Sequence, residues 1–553
     1  MFFYHKDTKN TKKKLGVLNA FVFKLSFFAL LATFLFLLSC PISKISMHPD
    51  DWLMNRLPAE PDTLNPLTAS DAYAGIIDNY IYEPLVDRNL DTLELYPKLA
   101  STWEISADGL VYTFKVRQGV KFQDGVPVTA RDFKYCFDRI MDEKVNAPFL
   151  RNYYQDIRKA EVLDDYTIKF TYARPYFRAL ELCGGVQAIP KHLFERDPDF
   201  NKSPLGRAPV GTGPYKFVEW VTGQKIVLER NDAYWGQHHP QIKRIVFRVI
   251  NESSSALIEL KKRQIDLMDL SPLQWTKQTS SERFKEAFRK EQYYEPNFSY
   301  IGWNIRKPFF SDKRVRRAMT MMVDRPTLLK NLLFGLGIVV TGEAYVKSPY
   351  YDTAIQPWPY DPEGAKKLLD EAGWIDHDGD GIRDKDGVPF KFEFLIPSSS
   401  IFANQLGTVL KEELKKAGIV MEIRSLEWAT FSKLVDGREF DAMAMGWSLS
   451  VETDPYQLWH SSQMGKGSNY VGFKNDEADR IIVEARRTFD RDKRIALLKR
   501  FHHILHDEQP YTFLFCQPSL VAISRRFGNV IIHNLGIEPK EWSAPKQALS
   551  IGR

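Results

Sequence analysis

Only one stretch of this chain is apolar enough to meet a lipid phase, and it lies at the very start. Residues 25–38 (LSFFALLATFLFLL) run for fourteen positions without a charge. That falls short of the roughly 18–20 residues a membrane-spanning helix needs. No later stretch reaches such a length, so the rest of the chain is expected to fold in water. The 553 residues allow two to four domains at roughly 100–200 residues each, with ample length for large buried cores. A composition of 44% hydrophobic, 26% charged and 13% aromatic residues excludes disordered, collagen-like and coiled-coil chains.

The net charge of +6 is unevenly placed. Residues 1–39 carry +5, from Lys6, Lys9, Lys12, Lys13, Lys14 and Lys24 against Asp7, and the other 514 residues carry only +1. A body so near neutrality has no basic field for a nucleic-acid partner. Lysines, then an apolar run, then a small residue before a cysteine is the order of an export signal. Leu37-Leu38-Ser39-Cys40 resembles a bacterial lipobox, in which the cysteine is lipidated and becomes the first residue. Leu38 is bulkier than the Ala, Ser or Thr usual at its position. The other reading is an uncleaved anchor helix, and both export the body and hold it at a membrane surface. Beyond Cys40 stand Cys136, Cys183 and Cys516. They allow one disulfide at most and match no metal-site spacing.

Local patterns predict strands first and α/β order later. Tyr112–Val116 alternates as a half-buried strand, and Gln123-Asp124-Gly125 between two apolar runs signals a hairpin. Further strands are expected at Tyr215–Val218, Val227–Arg230 and Ile245–Ile250. Past residue 310, Asp361-Pro362 opens a helix that carries Ala365, Leu368, Leu369 and Ala372 on one stripe and stops at Gly373. A second helix is expected over 402–417, with Leu406, Val409, Leu410 and Leu414 on its inner face. The strands Ile419–Ile423 and Asp441–Trp447 complete an α/β pattern, in which loops after strands are natural ligand sites.

The segment Leu99–Phe137 (LASTWEISADGLVYTFKVRQGVKFQDGVPVTARDFKYCF) resembles the bacterial extracellular solute-binding proteins of family 5, the peptide-, oligopeptide- and nickel-type receptors of ABC importers. Trp103, Asp108, Gly109, Tyr112, Phe114, Arg117, Gly119, Val120, Phe122, Asp124, Gly125, Pro127, Thr129, Ala130 and Asp132 meet its pattern. Glu60–Pro66, Pro209–Tyr215, Arg230–Trp235, Asp312–Ala318, Gly446-Trp447 and Asp454-Pro455 follow in the right order. The resemblance implies a periplasmic-binding-protein-like α/β fold (class II, cluster C), a three-domain Venus flytrap with two lobes closing on the ligand. The implied boundaries are a signal segment 1–39, a first domain from 40–90 (after a tether at 40–50), 207–302 and 519–553, a second domain 91–206 and a third 303–518. It further implies a monomeric receptor at the extracytoplasmic or periplasmic face, lipid-anchored at Cys40. Such a receptor hands a peptide or peptide-like solute to an ABC permease with cytoplasmic ATPases, binds no nucleic acid and needs no cofactor. An exported cell-envelope hydrolase and a nickel or metal-complex receptor are the alternatives. The chain has no P-loop, H-E-x-x-H or G-x-S-x-G motif.

In peptide-binding relatives two tryptophans line the cavity, here Trp428 and Trp447, and the resemblance adds Trp303, Asn304, Ser450 and Glu452 as ligand-binding candidates. Those relatives place an aspartate for the peptide amino terminus where this chain has Ser450, and often an arginine where it has Ala444. A free amino terminus therefore lacks its counter-charge there, unless Glu452 or Asp454 supplies it; Asp454-Pro455 reads more simply as a turn or helix start. Three further signals have plain readings beside them. Gly211-Thr212-Gly213-Pro214 is a tight turn before a strand rather than a phosphate loop. His502 and His506 share a helix face at a spacing that suits zinc or nickel, yet such pairs are usually solvated. Asp376, Asp378, Asp380 and Asp384, with Gly381 at the sixth position, match the first part of an EF-hand loop and suggest a structural calcium. Gly387 stands where that loop needs Glu, and a hairpin turn between Trp374 and Val388 is the alternative.

Overall fold

Three sheets carry the architecture, each formed where apolar residues recur with the right period. The computed structural model describes residues 49–544, apart from 70 and 466, so the signal segment and Cys40 lie outside the described residues. The first sheet has seven strands in the order Phe288–Tyr294, Pro518–Ser524, Leu267–Asp269, Trp52–Leu57, Arg244–Val249, Lys225–Arg230 and Tyr215–Val221. Trp52–Leu57 runs parallel to Arg244–Val249, with Leu53 opposite Ile245. The runs Ile226–Leu228 and Ile245–Phe247 are buried without a break, as strands covered on both faces should be.

The second sheet is antiparallel, in the order Ala100–Ile105, Val111–Val116, Thr167–Tyr172 and Ile157–Asp164. Tyr112, Phe114 and Val116 point into the core in the expected alternation. Helix Ala130–Met141 covers this sheet with Phe133, Cys136, Phe137 and Ile140, and Thr129 and Asp132 close its start as a capping box. The hairpin expected at Gln123-Asp124-Gly125 is reduced to one bridge, between Lys121 and Pro127, around Gly125 at φ +92°. Two ladder bonds flank that bridge, from the Phe122 N–H to the Val126 carbonyl at 2.8 Å and from the Val128 N–H to the Val120 carbonyl at 3.0 Å, so Pro127 sits at a position that asks for no N–H.

The third sheet orders Val420–Leu426, Lys391–Pro397, Ala442–Ser448, Asn297–Trp303 and Tyr511–Phe513. Its first three strands are mutually parallel, and Asn297–Trp303 runs against them. Helix Ile401–Lys415 makes the crossover, capped by Ser400 and stopped by Gly418 at φ +72°. Leu406, Leu410 and Leu414 are buried as expected, but Val409 is 41% exposed and Ala403 takes the remaining inner place. Helix Pro362–Glu371 begins on the Asp361 carboxylate, which accepts the Gly364 N–H at 2.9 Å. Cys136, Cys183 and Cys516 are buried free thiols. Among the described residues no helix is long and apolar enough to cross a membrane.

The glycines of Gly211-Thr212-Gly213 are required by close approach to the helix Ala72–Ile81. The Gly213 N–H donates to the Ile81 carbonyl at 2.8 Å. A Cβ on Gly211 would lie 2.0 Å from that same oxygen, and one on Gly213 would lie 2.4 Å from the Tyr80 carbonyl. Thr212 donates its hydroxyl to Glu83 at 3.0 Å. Because the obstacle is backbone, it cannot swing away. Gly211→Ala is expected to destabilise the fold by about 1–3 kcal/mol or more, measured as a lower urea midpoint at unchanged m-value; a midpoint equal to wild type would refute this account of the motif.

Candidate functional cleft

The carboxyl ends of the first and third sheets meet where the chain crosses between them. One crossing is Glu295-Pro296, between Phe288–Tyr294 and Asn297–Trp303, and the other is Gln517, between Phe515–Cys516 and Pro518–Ser524. The Asn297 amide joins them: its Nδ2 donates to the carbonyls of Glu295 at 3.0 Å and Gln517 at 3.1 Å, and its Oδ1 accepts the Gln517 N–H at 3.2 Å. Leu449, just past the strand Ala442–Ser448, donates its N–H to Pro296 at 2.8 Å. The loops that follow the parallel strands of the third sheet therefore open beside this crossing, as ligand-binding loops of α/β sheets do.

Trp447, half-buried, stands near the end of its strand opposite Phe298. Its ring lies parallel to Tyr470 at 5.8 Å and to Tyr300 at 6.5 Å, and Tyr300 stacks on Tyr511 at 3.8 Å. Burial raises both phenols, so they stay neutral. Trp428 starts the helix Trp428–Asp436, stacks on Phe431 and is 54% exposed. The structure gives Trp303 and Asn304 packing roles instead of ligand contacts. Trp303 is fully buried against Phe310 and Phe392 and donates its indole N–H to Thr512 at 3.0 Å. Asn304, 1% exposed, donates to the Phe440 carbonyl at 2.7 Å.

Ser450, Glu452 and Asp454 belong to a polar seam reached from the opposite side. Arg178 Nη2 donates to Ser450 Oγ at 3.0 Å, and Tyr176 donates its hydroxyl to Asp454 at 2.7 Å. Arg486 donates to the same Asp454 oxygen at 3.1 Å, and its guanidinium lies 4.7 Å from the Tyr176 ring centre. Asp454 also accepts the Tyr456 N–H, the turn role expected of it. Glu452 is not a free counter-charge, because Tyr350 donates to it at 2.7 Å and Arg494 stands 3.8 Å away. Burial is the largest single influence on Arg178 and opposes its charge, but Glu181 at 2.8 Å, Tyr176 and Asp454 together outweigh it and lift the guanidinium above its usual range. Tyr176 and Arg178 were not singled out in the sequence; the only cue was an unusual basic and aromatic run, Arg174-Pro175-Tyr176-Phe177-Arg178.

The other candidates lie apart from this seam. Asp376, Asp378 and Asp380 are exposed, with ligand atoms within 4.8 Å of one another. Their carboxylates accept N–H groups of Gly379, Gly381, Asp380 and Ile382, and Asp384 accepts from His377. His502 is buried rather than solvated: it meets the Thr341 hydroxyl at 2.9 Å and accepts the Asp352 N–H at 3.2 Å, and burial lowers it to about 4. A cleft of about 1220 Å³ opens elsewhere, between segments 79–98, 234–241 and 529–542. Glu83 on its wall is consumed by Thr212, Tyr234, Trp235 and Lys98, so it ties segments together.

Behind the aromatic wall lies the buried acid Glu343. It accepts the Trp459 indole N–H, and burial raises its carboxyl to about 8. A raised carboxyl stabilises the fold fully below the unfolded value near 4.5, and that contribution is lost as pH climbs toward 8. Glu343→Gln is therefore expected to exceed wild type in stability at pH 8, with an upper limit on the order of 3–5 kcal/mol, and to match it near pH 4. Thermal unfolding from pH 4 to 9 measures this; parallel curves for the two proteins would contradict it.

Comparison with known proteins places this geometry in a class. The fold matches the oligopeptide-binding protein AppA of Bacillus subtilis in complex with a nonapeptide, at TM-score 0.76 and 29% identity over 90% of this chain and 99% of that one. It also matches NikA of Brucella suis in complex with Fe(III)-EDTA, at TM-score 0.79 and 26% identity over 90% and 100%. In sequence, the B. subtilis oligopeptide-binding protein AppA is 32% identical over 82% of this chain and 84% of its own. The Escherichia coli nickel-binding periplasmic protein is 26% identical over 89% and 94%. The profile of the bacterial extracellular solute-binding proteins, family 5 Middle, matches residues 94–469. The chain belongs to that family.

Proposed function

We propose that the protein captures peptides or peptide-like solutes between its lobes and delivers them to an ABC permease driven by cytoplasmic ATPases. Capture and release, with no chemical step, is its whole task, and it works as a monomer outside the cytoplasm, tethered by a lipid on Cys40. The peptide reading draws on relatives described with a nonapeptide or with the peptide STSA bound. The observation that carries it is the flat face of Trp447 and Tyr470 beside the strand crossing. Such a face contributes large apolar area without a charge, which suits side chains of varied shape.

Calorimetry with a pooled library of two- to nine-residue peptides, free and N-acetylated, tests the reading. Trp447→Ala is expected to weaken the tightest member by about 1–3 kcal/mol, and exposed Trp428→Ala by less. Unchanged affinity in both folded variants would remove them from the site. The tether has its own test in labelled fatty acid. Cys40→Ala is expected to keep the signal segment and incorporate no label, and equal labelling of mutant and wild type would end the lipoprotein reading.

A further inference from the structure

Ser450 stands two residues past the strand Ala442–Ser448, next to the Leu449–Pro296 bond that fixes its loop to a crossing. Arg178 reaches it from the second sheet's side, with a side chain only 8% exposed. Since Ser450 Oγ accepts that guanidinium N–H, the hydrogen of its own hydroxyl is free to donate. The surroundings are positive on balance. The guanidiniums of Arg88, Arg178, Arg486 and Arg494 face the carboxylates of Glu181, Glu452 and Asp454, leaving one positive charge. The adjoining Arg174–Asp156 pair is neutral overall.

An ammonium arriving at this corner would lose its hydration and find no free anion. Glu181 is held by Arg178 and Arg88, Asp454 by Tyr176 and Arg486, and Glu452 by Tyr350 and Arg494. A buried cation without a partner is strongly disfavoured. An oxygen acceptor meets the opposite situation, with a free hydroxyl hydrogen backed by a charged guanidinium.

We propose that Arg178 is a specificity-determining residue of the cleft: through Ser450 it forms a subsite for a carbonyl or carboxylate oxygen of the ligand and bars a free ammonium. This inference rests on the peptide-receptor reading and names the chemistry of the ligand group received at this corner. The test compares matched peptides, free and N-acetylated, on wild type, Ser450→Asp and Arg178→Gln. In Arg178→Gln, Glu181 keeps Arg88 as its partner, so the fold has no orphaned charge. Wild type is expected to prefer the acetylated members by about tenfold or more. Ser450→Asp should move that ratio by about tenfold or more toward the free amine, and Arg178→Gln should bring the two within about threefold. Equal or tighter binding of free amines by wild type, or a ratio that neither substitution moves, overturns the inference and leaves the peptide reading standing. If wild type binds neither set, the peptide reading falls and this inference falls with it.

Discussion

One side-chain amide ties together the two places where the chain crosses between the first and third sheets. Asn297 shares its Nδ2 between the Glu295 and Gln517 carbonyls and takes the Gln517 N–H on its oxygen. An amide can offer a donor and an acceptor to a neighbouring backbone at once, as a peptide unit in a sheet does. It is needed because the ladders stop here: Pro296 lies in one crossing and Pro518 opens the strand after the other, and neither has an N–H to continue a ladder. The register between Phe288–Tyr294 and Pro518–Ser524 ends at the pair Tyr294–Pro518. Asn297 thus carries the pairing one step beyond the point where backbone alone can hold it. With the crossings side by side, the loops after the strands of the third sheet stand against the first lobe.

What the lobes present to each other divides into a neutral wall and a charged seam. The wall is Tyr470, Trp447, Tyr300 and Tyr511, nearly parallel rings whose phenols stay protonated. The seam holds seven charges, each with a named partner. Buried ion pairs add little net stability, because desolvation consumes most of their attraction. Their geometry is nonetheless demanding, and a displaced partner leaves an unpaired charge. The seam therefore holds segment 176–178 in one geometry against segment 450–454. Asp454 shows this best, since Tyr176, Arg486 and the Tyr456 N–H all converge on its carboxylate.

Much of the fold was legible because local rules and tertiary demands agree. Asp361, Gly373 and Gly418 bound helices as their residue types predict, and the period-two pattern of Tyr112–Val116 is borne out. Val409 was misplaced because a stripe in sequence is wider than the groove a helix fills, and Ala403 fits where Val409 does not. The site was less legible, for a physical reason. Trp303 and Trp447 are the same residue type at ends of neighbouring strands, yet one is fully buried and the other half-buried. Only the packing of Phe310 and Phe392 over Trp303 decides between them. Arg178 and Ser450 are 272 positions apart, and no periodicity spans such a distance. Ser450 alone reads as a lost charge; with Arg178 against it, the same position has a sign.

The aromatic wall is also not a free-standing surface. Tyr511 lies 4.6 Å from the Trp459 ring, and Trp459 donates to Glu343. Two residues on from Glu343, Tyr345 donates its hydroxyl to the Tyr294 carbonyl at 2.6 Å and to Asn534 at 3.3 Å. One short segment thus touches the back of the wall, a strand that enters the crossing and the C-terminal part of the chain. Close-packed interiors resist continuous deformation, so the wall cannot shift without moving that segment. The third sheet is thus tied to the rest of the chain at two places, by the Arg178–Ser450 and Tyr176–Asp454 bonds and by Tyr345. The ring of Trp447 is set by packing alone, parallel to Tyr470 on one hand and Tyr300 on the other, and Tyr300 in turn rests on Tyr511.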